Sequence, residues 1–448
     1  MSRRPDKKRG NDKRGPRVAL TATISELAPG GDAVAIAELE GERRAIFVPG
    51  LLPGEEARLE VDLTTRPARG RVVELVKASP DRVAPACAYV DACGGCDFMH
   101  ASQPARRRQH GELVARLLPK AFARDEVRVH PASKELGYRM RARVHVEARG
   151  AAVKVGMFAR GSHDPVAVDA CVILDPVIER ARLALSSLFV GARGRADVHL
   201  ALGDSGKGPR RAVVEARFRG DALPAAFFAR AEEMANGDAI AGVRVWDGDV
   251  TVPATVGDPT PWMLGADDAP LELAPGGFSQ ASEDGNRVLA KRAGELAFEL
   301  SRDDAKVLEL YAGAGNLTVL LARERAVTAV EVEAAACAAA RRNLVARGIG
   351  DRVRVVEADA ATFAIPNGTR LVVLDPPRTG AKDVARAIAQ KPGPSVVYVS
   401  CDPVTLGRDL SMLADAGYAL HAIEAFEMFP QTSHVETIAA LTHPRARR

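Results

Sequence analysis

In "VVYVSCDP" (396–403) a thiol stands at the end of a run of β-branched and aromatic residues, with Pro403 closing the turn behind it. Val396, Val397, Tyr398 and Val399 read as a buried strand. An open α/β sheet binds its ligands outside the carboxyl ends of its strands, which makes Cys401 a candidate nucleophile. Against that stands the ordinary use of a free cysteine as a small buried hydrophobe. In "VLELYAGAGNLTVLLA" (307–322) a hydrophobic strand runs into a Gly-rich turn and then a helix. Gly313 and Gly315 let a ligand approach the backbone with no Cβ in the way. Glu331 ends the next strand, in "VTAVEVE", where a carboxylate can accept from both hydroxyls of a ribose. Asp359 ends the third, in "VVEADA". Gly-rich turn, acid and acid at three consecutive strand ends describe an adenosyl pocket. A dinucleotide would want a third glycine where Thr318 stands, to seat its pyrophosphate. S-adenosylmethionine, which has no phosphates, fits better. The fourth strand ends in "LDPPR" (374–378). Enzymes that methylate exocyclic amines put an aromatic after the prolines, and Arg378 argues against amine chemistry.

A second set of reactive residues lies far upstream. Of the 6 cysteines, three crowd into "CAYVDACGGC" as Cys87, Cys93 and Cys96, and Cys171 stands in "DACVILDP". Clustered thiols of this kind are more often metal ligands than bridges in a cytosolic chain. Cys337, in an Ala-rich helical stretch, reads as packing.

The elements that must position these groups change rhythm along the 448 residues, a length that calls for two or three domains. Residues 1–17 are dense in Lys and Arg and read as a basic arm that does not fold alone, either attracted to polyanions or simply solubilising. Residues 18–78 hold five short strands between Gly and Pro turns, the pattern of a small closed barrel often used for oligonucleotides. Residues 79–270 form a strand-rich central domain that carries the cysteines, with a helix near 100–133 packing on the catalytic domain. From 271 to 448 strands alternate with long helices, which predicts a parallel, doubly wound, Rossmann-like sheet. No stretch has the apolar length of a membrane span, and the N-terminus lacks the apolar core of a signal peptide, so a cytoplasmic protein is expected.

With these residues together, the chain resembles the RNA uracil-5 methyltransferases, closest to the 23S ribosomal RNA branch that has an N-terminal TRAM barrel and an iron–sulfur cluster. "LPGE" (52–55) and "SPDRVAPAC" (79–87) are similar to the TRAM domain and its exit. "CAYVDACGGC" followed by Cys171 resembles the family's C-x5-C-x2-C…C cluster ligands. "YRMRARVHV" resembles the basic strand that opens the central domain. Gln280 in "GGFSQAS", Tyr311, Asn316, Glu331, Asp359 and Asp375 fall at the family's cofactor-contacting positions, beside Gly313 and Gly315 of the turn. "SCDP" resembles the nucleophile motif and "MFPQTSHVETI" the C-terminal motif, whose glutamate is here Glu436. The chain departs from the pattern at Asp402, where the family usually has Asn, and at Ser282.

The resemblance implies class I methyl transfer from S-adenosylmethionine to C5 of a uridine in RNA, most readily 23S rRNA. Cys401 adds to C6 as the nucleophile and Glu436 takes the C5 proton. It also implies a [4Fe–4S] cluster on Cys87, Cys93, Cys96 and Cys171, whereas on spacing alone a tetrahedral four-Cys zinc site is the default. The expected partner is RNA, bound by a monomer with its target flipped out of the stack. Rival readings are a tRNA uridine-5 methyltransferase, an RNA cytosine-5 methyltransferase and an RNA-binding protein without catalysis. Cytosine enzymes of RNA usually carry a second cysteine near the fourth strand, and "LDPPRTG" has none.

Overall fold

Strands whose residues alternate between inside and outside build the first unit: β1 (Arg17–Leu27), β2 (Ala33–Leu39), β3 (Glu42–Val48), β4 (Glu56–Asp62) and β5 (Ala68–Lys77). They pair in the order β1-β2-β3-β5-β4, and β4 returns onto β1 to close a barrel. Ile24, Ala35, Ile46, Val48, Leu59 and Val61 fill it. Gly70 is needed there, because a Cβ would stand 2.9 Å from the Val48 side chain. The protein is seen in a computed structural model that describes residues 17–39, 41–162, 164–203, 208–301 and 305–447. The basic arm of residues 1–17 therefore lies outside the described residues but for Arg17.

Glu55 of the "LPGE" segment has no exposed surface. Its carboxylate accepts from Leu52 N at 2.8 Å, Ser79 N at 3.1 Å, and Arg82 Nε and Nη2 at 2.6 and 2.7 Å. Burial pushes the carboxyl up, but the Arg82 guanidinium and the two backbone donors outweigh it and hold it below the usual range. Arg82→Met should leave this charge buried and unpaired, lowering the stability of the unit by about 3 kcal/mol. Faster amide exchange confined to residues 17–84 of the full-length protein would register it; unchanged exchange would show that the pair contributes nothing.

The second unit comprises Pro85–Met99 and everything from Gln103 onward. Its elements begin with α1 (Gln103–Leu117), β6 (Arg128–His130), β7 (Arg141–Arg149), β8 (Ala152–Phe158) and β9 (Pro165–Ala167). There follow α2 (Pro176–Leu188), β10 (Arg193–Gly203), β11 (Arg211–Gly220), α3 (Ala225–Ala235), β12 (Ile240–Asp247) and β13 (Ala254–Gly257). Seven strands form one sheet in the order β13-β12-β11-β10-β7-β8-β9. One face is apolar: Val144, Val146, Val198, Leu200, Val214 and Phe218 pack under Ile178 and Leu185 of α2 and Phe227 of α3. Asp175 caps α2 by accepting from Val177 N at 2.8 Å, with Pro176 at the first helical position.

The remaining elements are β14 (Trp262–Leu264), β15 (Pro270–Glu272), α4 (Glu283–Leu300), β16 (Lys306–Leu310), α5 (Thr318–Leu321), β17 (Val327–Glu331) and α6 (Ala334–Ala346). Then come β18 (Val353–Glu357), β19 (Thr369–Leu374), α7 (Lys382–Gln390), β20 (Ser395–Ser400), α8 (Pro403–Asp415), β21 (Ala419–Phe426) and β22 (Glu436–Thr442). Eight strands make the second sheet, β18-β17-β16-β19-β20-β22-β21-β6. The five from β16 to β20 are parallel, as their alternation with helices predicts. The rest differ from that expectation. The connection from β21 to β22 holds no helix, so the chain folds back and β22 lies antiparallel between β20 and β21. β6, which comes from residues assigned above to the central domain, pairs parallel with β21, and α1 packs on α8, β6 and β21. No helix among the described residues is long and apolar enough to cross a membrane.

Candidate active site

The strand order reverses between β16 and β19, and at that point an open parallel sheet forms a crevice. Tyr311, Gly313 and Gly315 follow β16 there. Tyr311 has a φ of 62°, Gly313 55° and Gly315 89°, so all three are left-handed, a conformation that strains a tyrosine and suits glycine. The turn is held from below: Gly313 N donates to Glu331 Oε2 at 2.9 Å, and Glu333 N to Oε1 at 2.9 Å. Asn316 is tied sideways. Its amide donates to Asn286 Oδ1 at 2.8 Å and accepts from Ala266 N at 3.0 Å, so it anchors the turn to α4 and the β14 hairpin. Asp359 is exposed two residues past β18, with Oδ1 accepting from Ala361 N at 2.9 Å. Burial, with Asp359 adding to it, raises the Tyr311 hydroxyl. Gln280 is half-buried in the segment that leads into α4, whose first turn Ser282 caps by accepting from Gly285 N at 3.1 Å.

Cys401 follows β20, Asp375 follows β19 and Glu436 opens β22. Ser400 is paired with Thr437, so the antiparallel ladder sets Cys401 and Glu436 side by side. Burial pushes the Cys401 thiol up to about 12, with Glu436 and Asp375 adding to it and Arg378 opposing. Glu436, 4% exposed, is driven up to about 8 by burial and then by Asp375. Burial takes Asp375 up to about 7. Two carboxyls and a thiol from three neighbouring strands thus lie near one another, with Arg378 as the neighbouring cation. Arg378 Nη2 donates to His434 Nε2 at 3.2 Å, and burial together with that guanidinium lowers the His434 pKa.

Sequence reasoning gave neither Arg378 nor Glu309 a role in this site. Glu309, in the middle of β16, is 2% exposed and pushed up to about 8 by burial, with Thr318 opposing. An acid inside the apolar run "VLELY" was the available signal.

The upstream thiols form a separate place. Cys87, Cys93, Cys96 and Cys171 all line one cavity of about 330 Å³, with Arg139, Arg160 and the Gly94–Gly95 turn. Tyr89 N and Gly95 N each stand 3.4 Å from a sulfur, of Cys87 and Cys93. Burial, with the nearby Cys171, Cys93 and Cys87 adding to it, raises the Cys96 thiol to about 12. Among the described residues no three His, Cys, Asp or Glu side chains are drawn in close enough to hold a metal ion as they stand. Cys337 is buried and donates from Sγ to Glu331 O at 3.3 Å, a packing role.

Comparison with known proteins now adds to this geometry. Residues 276–443 match the family model described as tRNA (Uracil-5-)-methyltransferase. A 23S rRNA (uracil(1939)-C(5))-methyltransferase RlmD of Chromohalobacter salexigens is 33% identical, with 95% of this chain and 90% of that protein aligned. The protein of the same name from Pseudomonas putida is 36% identical over 93% of this chain and 92% of its own length. The chain belongs to the RNA uracil-5 methyltransferase family. The fold agrees: the structure of Pyrococcus abyssi tRNA (uracil-54, C5)-methyltransferase with S-adenosyl-L-homocysteine superposes with a TM-score of 0.71, at 24% identity, over 94% of this chain and 100% of that one.

Both departures from the family pattern prove to be helix caps. Asp402 caps α8 by accepting from Thr405 N at 2.9 Å, a task Asn and Asp perform equally well. The methyltransferase also presents a basic surface. On the face of the seven-stranded sheet opposite its apolar core, Arg193, Arg195, Arg217 and Arg219 are exposed, and Arg217 and Arg244 lie 4.4 and 5.0 Å from the Trp246 ring centre.

Proposed function

We propose that this enzyme methylates C5 of a uridine in 23S rRNA, with Cys401 as nucleophile and Glu436 as general base. The observation that supports this most is the pairing of β20 with β22, which puts a thiol and a buried carboxyl together at a strand end two places along the sheet from β16 and its Gly313–Gly315 turn. Uracil C5 is too weak a nucleophile to take a methyl unaided. Addition of the Cys401 sulfur to C6 shifts the C5–C6 electron pair into an enolate, making C5 nucleophilic. S-adenosylmethionine, when bound, supplies the electrophilic methyl. Gln280, Tyr311, Gly313, Gly315, Asn316, Glu331 and Asp359 would hold it, with Asp375 between it and the pyrimidine edge. Glu436 then takes the C5 proton. The freed C–H electron pair restores the C5–C6 double bond and expels the thiolate. A base with a pKa near 8 is well matched to that transfer near neutrality. Mass-spectrometric mapping of 5-methyluridine in cells lacking the gene tests the reading. One missing 23S rRNA site supports it, and a missing tRNA site would move the substrate to tRNA.

The barrel of the first unit is read as a TRAM domain, and the four cysteines as ligands of a [4Fe–4S] cluster. One cavity lined by four thiols, two of them approached by backbone N–H groups, suits such a cluster. Cys93→Ser should abolish stoichiometric iron and sulfide in anaerobically purified protein. Stoichiometric zinc without iron in the unaltered protein would replace the cluster with a tetrahedral zinc site.

The basic face is read as a contact for RNA phosphates. Arg217→Glu with Arg219→Glu should weaken binding to transcribed 23S rRNA and lower the salt slope of log K by about 1 to 2, while S-adenosylmethionine affinity holds. An unchanged slope would take RNA off this face.

A further inference from the structure

The segment that carries the cysteines is stitched to the loop that carries the base. Asp97 directly follows Cys96, and its carboxylate accepts from both Ser433 N and Ser433 Oγ at 2.7 Å. Asp97 N and Phe98 N donate in return to Gln431 O, at 3.2 and 3.0 Å. Gln431, Thr432 and Ser433 are all at most 5% exposed, so this clasp is shielded from water. Phe429 of the same loop packs on a cluster made by Met99, Tyr138 and Ile173 with Cys87, Cys96 and Cys171. Glu436 begins three residues beyond Ser433, at the point where the loop becomes β22. Position 97 is thus joined on one side to the thiol cavity and on the other to the carboxyl that faces Cys401.

We propose that Asp97 is a positioning residue that holds Glu436 in line with C5 of the bound uracil, and that an intact four-cysteine site is what keeps Asp97 in place. The inference rests on the reading of Glu436 as base and of the cysteines as cluster ligands. The step it controls is loss of the C5 proton: the C5–H bond breaks, the proton passes to the Glu436 carboxylate, and the released pair re-forms C5–C6 as the sulfur of Cys401 departs. Addition and methyl transfer precede this step and do not use Glu436. A loosened loop should therefore trap the enzyme as a methylated protein–RNA adduct, with earlier steps intact.

The test uses full-length holoenzyme, S-adenosylmethionine and transcribed 23S rRNA. Asp97→Ala should keep its iron and sulfide and its S-adenosylmethionine affinity. Its kcat should fall about 10²-fold, the scale expected when a catalytic group is misplaced by about 1 Å, while kcat/KM for RNA holds because the steps through methyl transfer are intact. A heat-stable protein–RNA band should accumulate. Asp97→Asn, which keeps an acceptor for Ser433 N, should recover part of the rate, and Ser433→Ala should show a weaker version of the same adduct. Cys93→Ser should show the adduct as strongly as Asp97→Ala. Adduct in Asp97→Ala but not in Cys93→Ser would overturn the link to the cysteine site. A normal rate in Asp97→Ala, or a loss of activity with no adduct, would overturn the positioning role. Glu436→Gln separates this from the underlying reading: if that variant accumulates adduct and Asp97→Ala does not, only the present inference fails. If Glu436→Gln forms none, the base assignment falls and this inference with it.

Discussion

Cys401→Ala should abolish uridine methylation, by more than about 10⁴-fold in single-turnover rate, because the proposed enolate route opens with addition of its sulfur to C6. The loss should be chemical and not architectural. Cys401 lies past the end of β20, half-buried, and no backbone pairing depends on its sulfur. The turn at Gly313 and Gly315, with Glu331 beneath it, is built from β16 and β17, two strands away. Equilibrium titration should therefore find S-adenosylmethionine affinity within about twofold of the unaltered protein, a change of under ~0.5 kcal/mol. Burial raises the pKa of this thiol to about 12 in the free enzyme, with Glu436 and Asp375 adding to it. Methylation by Cys401→Ala at an ordinary rate would return the cysteine to the core and remove the covalent mechanism.

Glu436→Gln should fail differently, and the difference is the stronger test. The amide fills the same buried space at the start of β22, so the pairing with β20 and β21 should survive. Addition and methyl transfer should still run, but the amide cannot take the C5 proton. Turnover should fall about 10²- to 10⁴-fold, the usual worth of a general base. A methylated covalent complex should accumulate, visible as a heat-stable shifted band that the Cys401→Ala, Glu436→Gln double variant lacks. The pH dependence follows from the same carboxyl. Its pKa is raised to about 8 by burial and then by Asp375, and only the ionised form is a base. The rate at which the methylated adduct of the unaltered enzyme breaks down should therefore rise with pH and level off above about 8. A rate independent of pH between 6 and 9, or normal turnover by Glu436→Gln, would assign proton removal to another group.

Much of this protein is written locally in its residues. A thiol after "VVYVS", a Gly pair after "VLELYA" and an acid after "VTAV" are legible because strand, turn and helix each depend on a few neighbouring residues. The same holds for the five barrel strands, whose alternating pattern fits the observed burial of β4, and for the parallel order of β16 to β20. The three outer strands of the catalytic sheet were not legible. "HVETIAALT" reads as a strand in isolation, but nothing within it says that it inserts antiparallel between β20 and β21. That choice is made by pairing between distant segments, and it is what carries Glu436 to Cys401.

Charge states are equally a product of tertiary structure. Glu309, Asp375 and Glu436 look like ordinary acids in the sequence, and burial raises each into the range where it holds or gives up a proton near neutrality. Asp97 looks like one more polar residue after a cysteine, yet its partners lie in a loop more than three hundred residues away. Local periodicity specifies which way a side chain faces on its own element; which other element it meets, and how far water is kept from it, is decided only when the sheets close and their loops are sewn together.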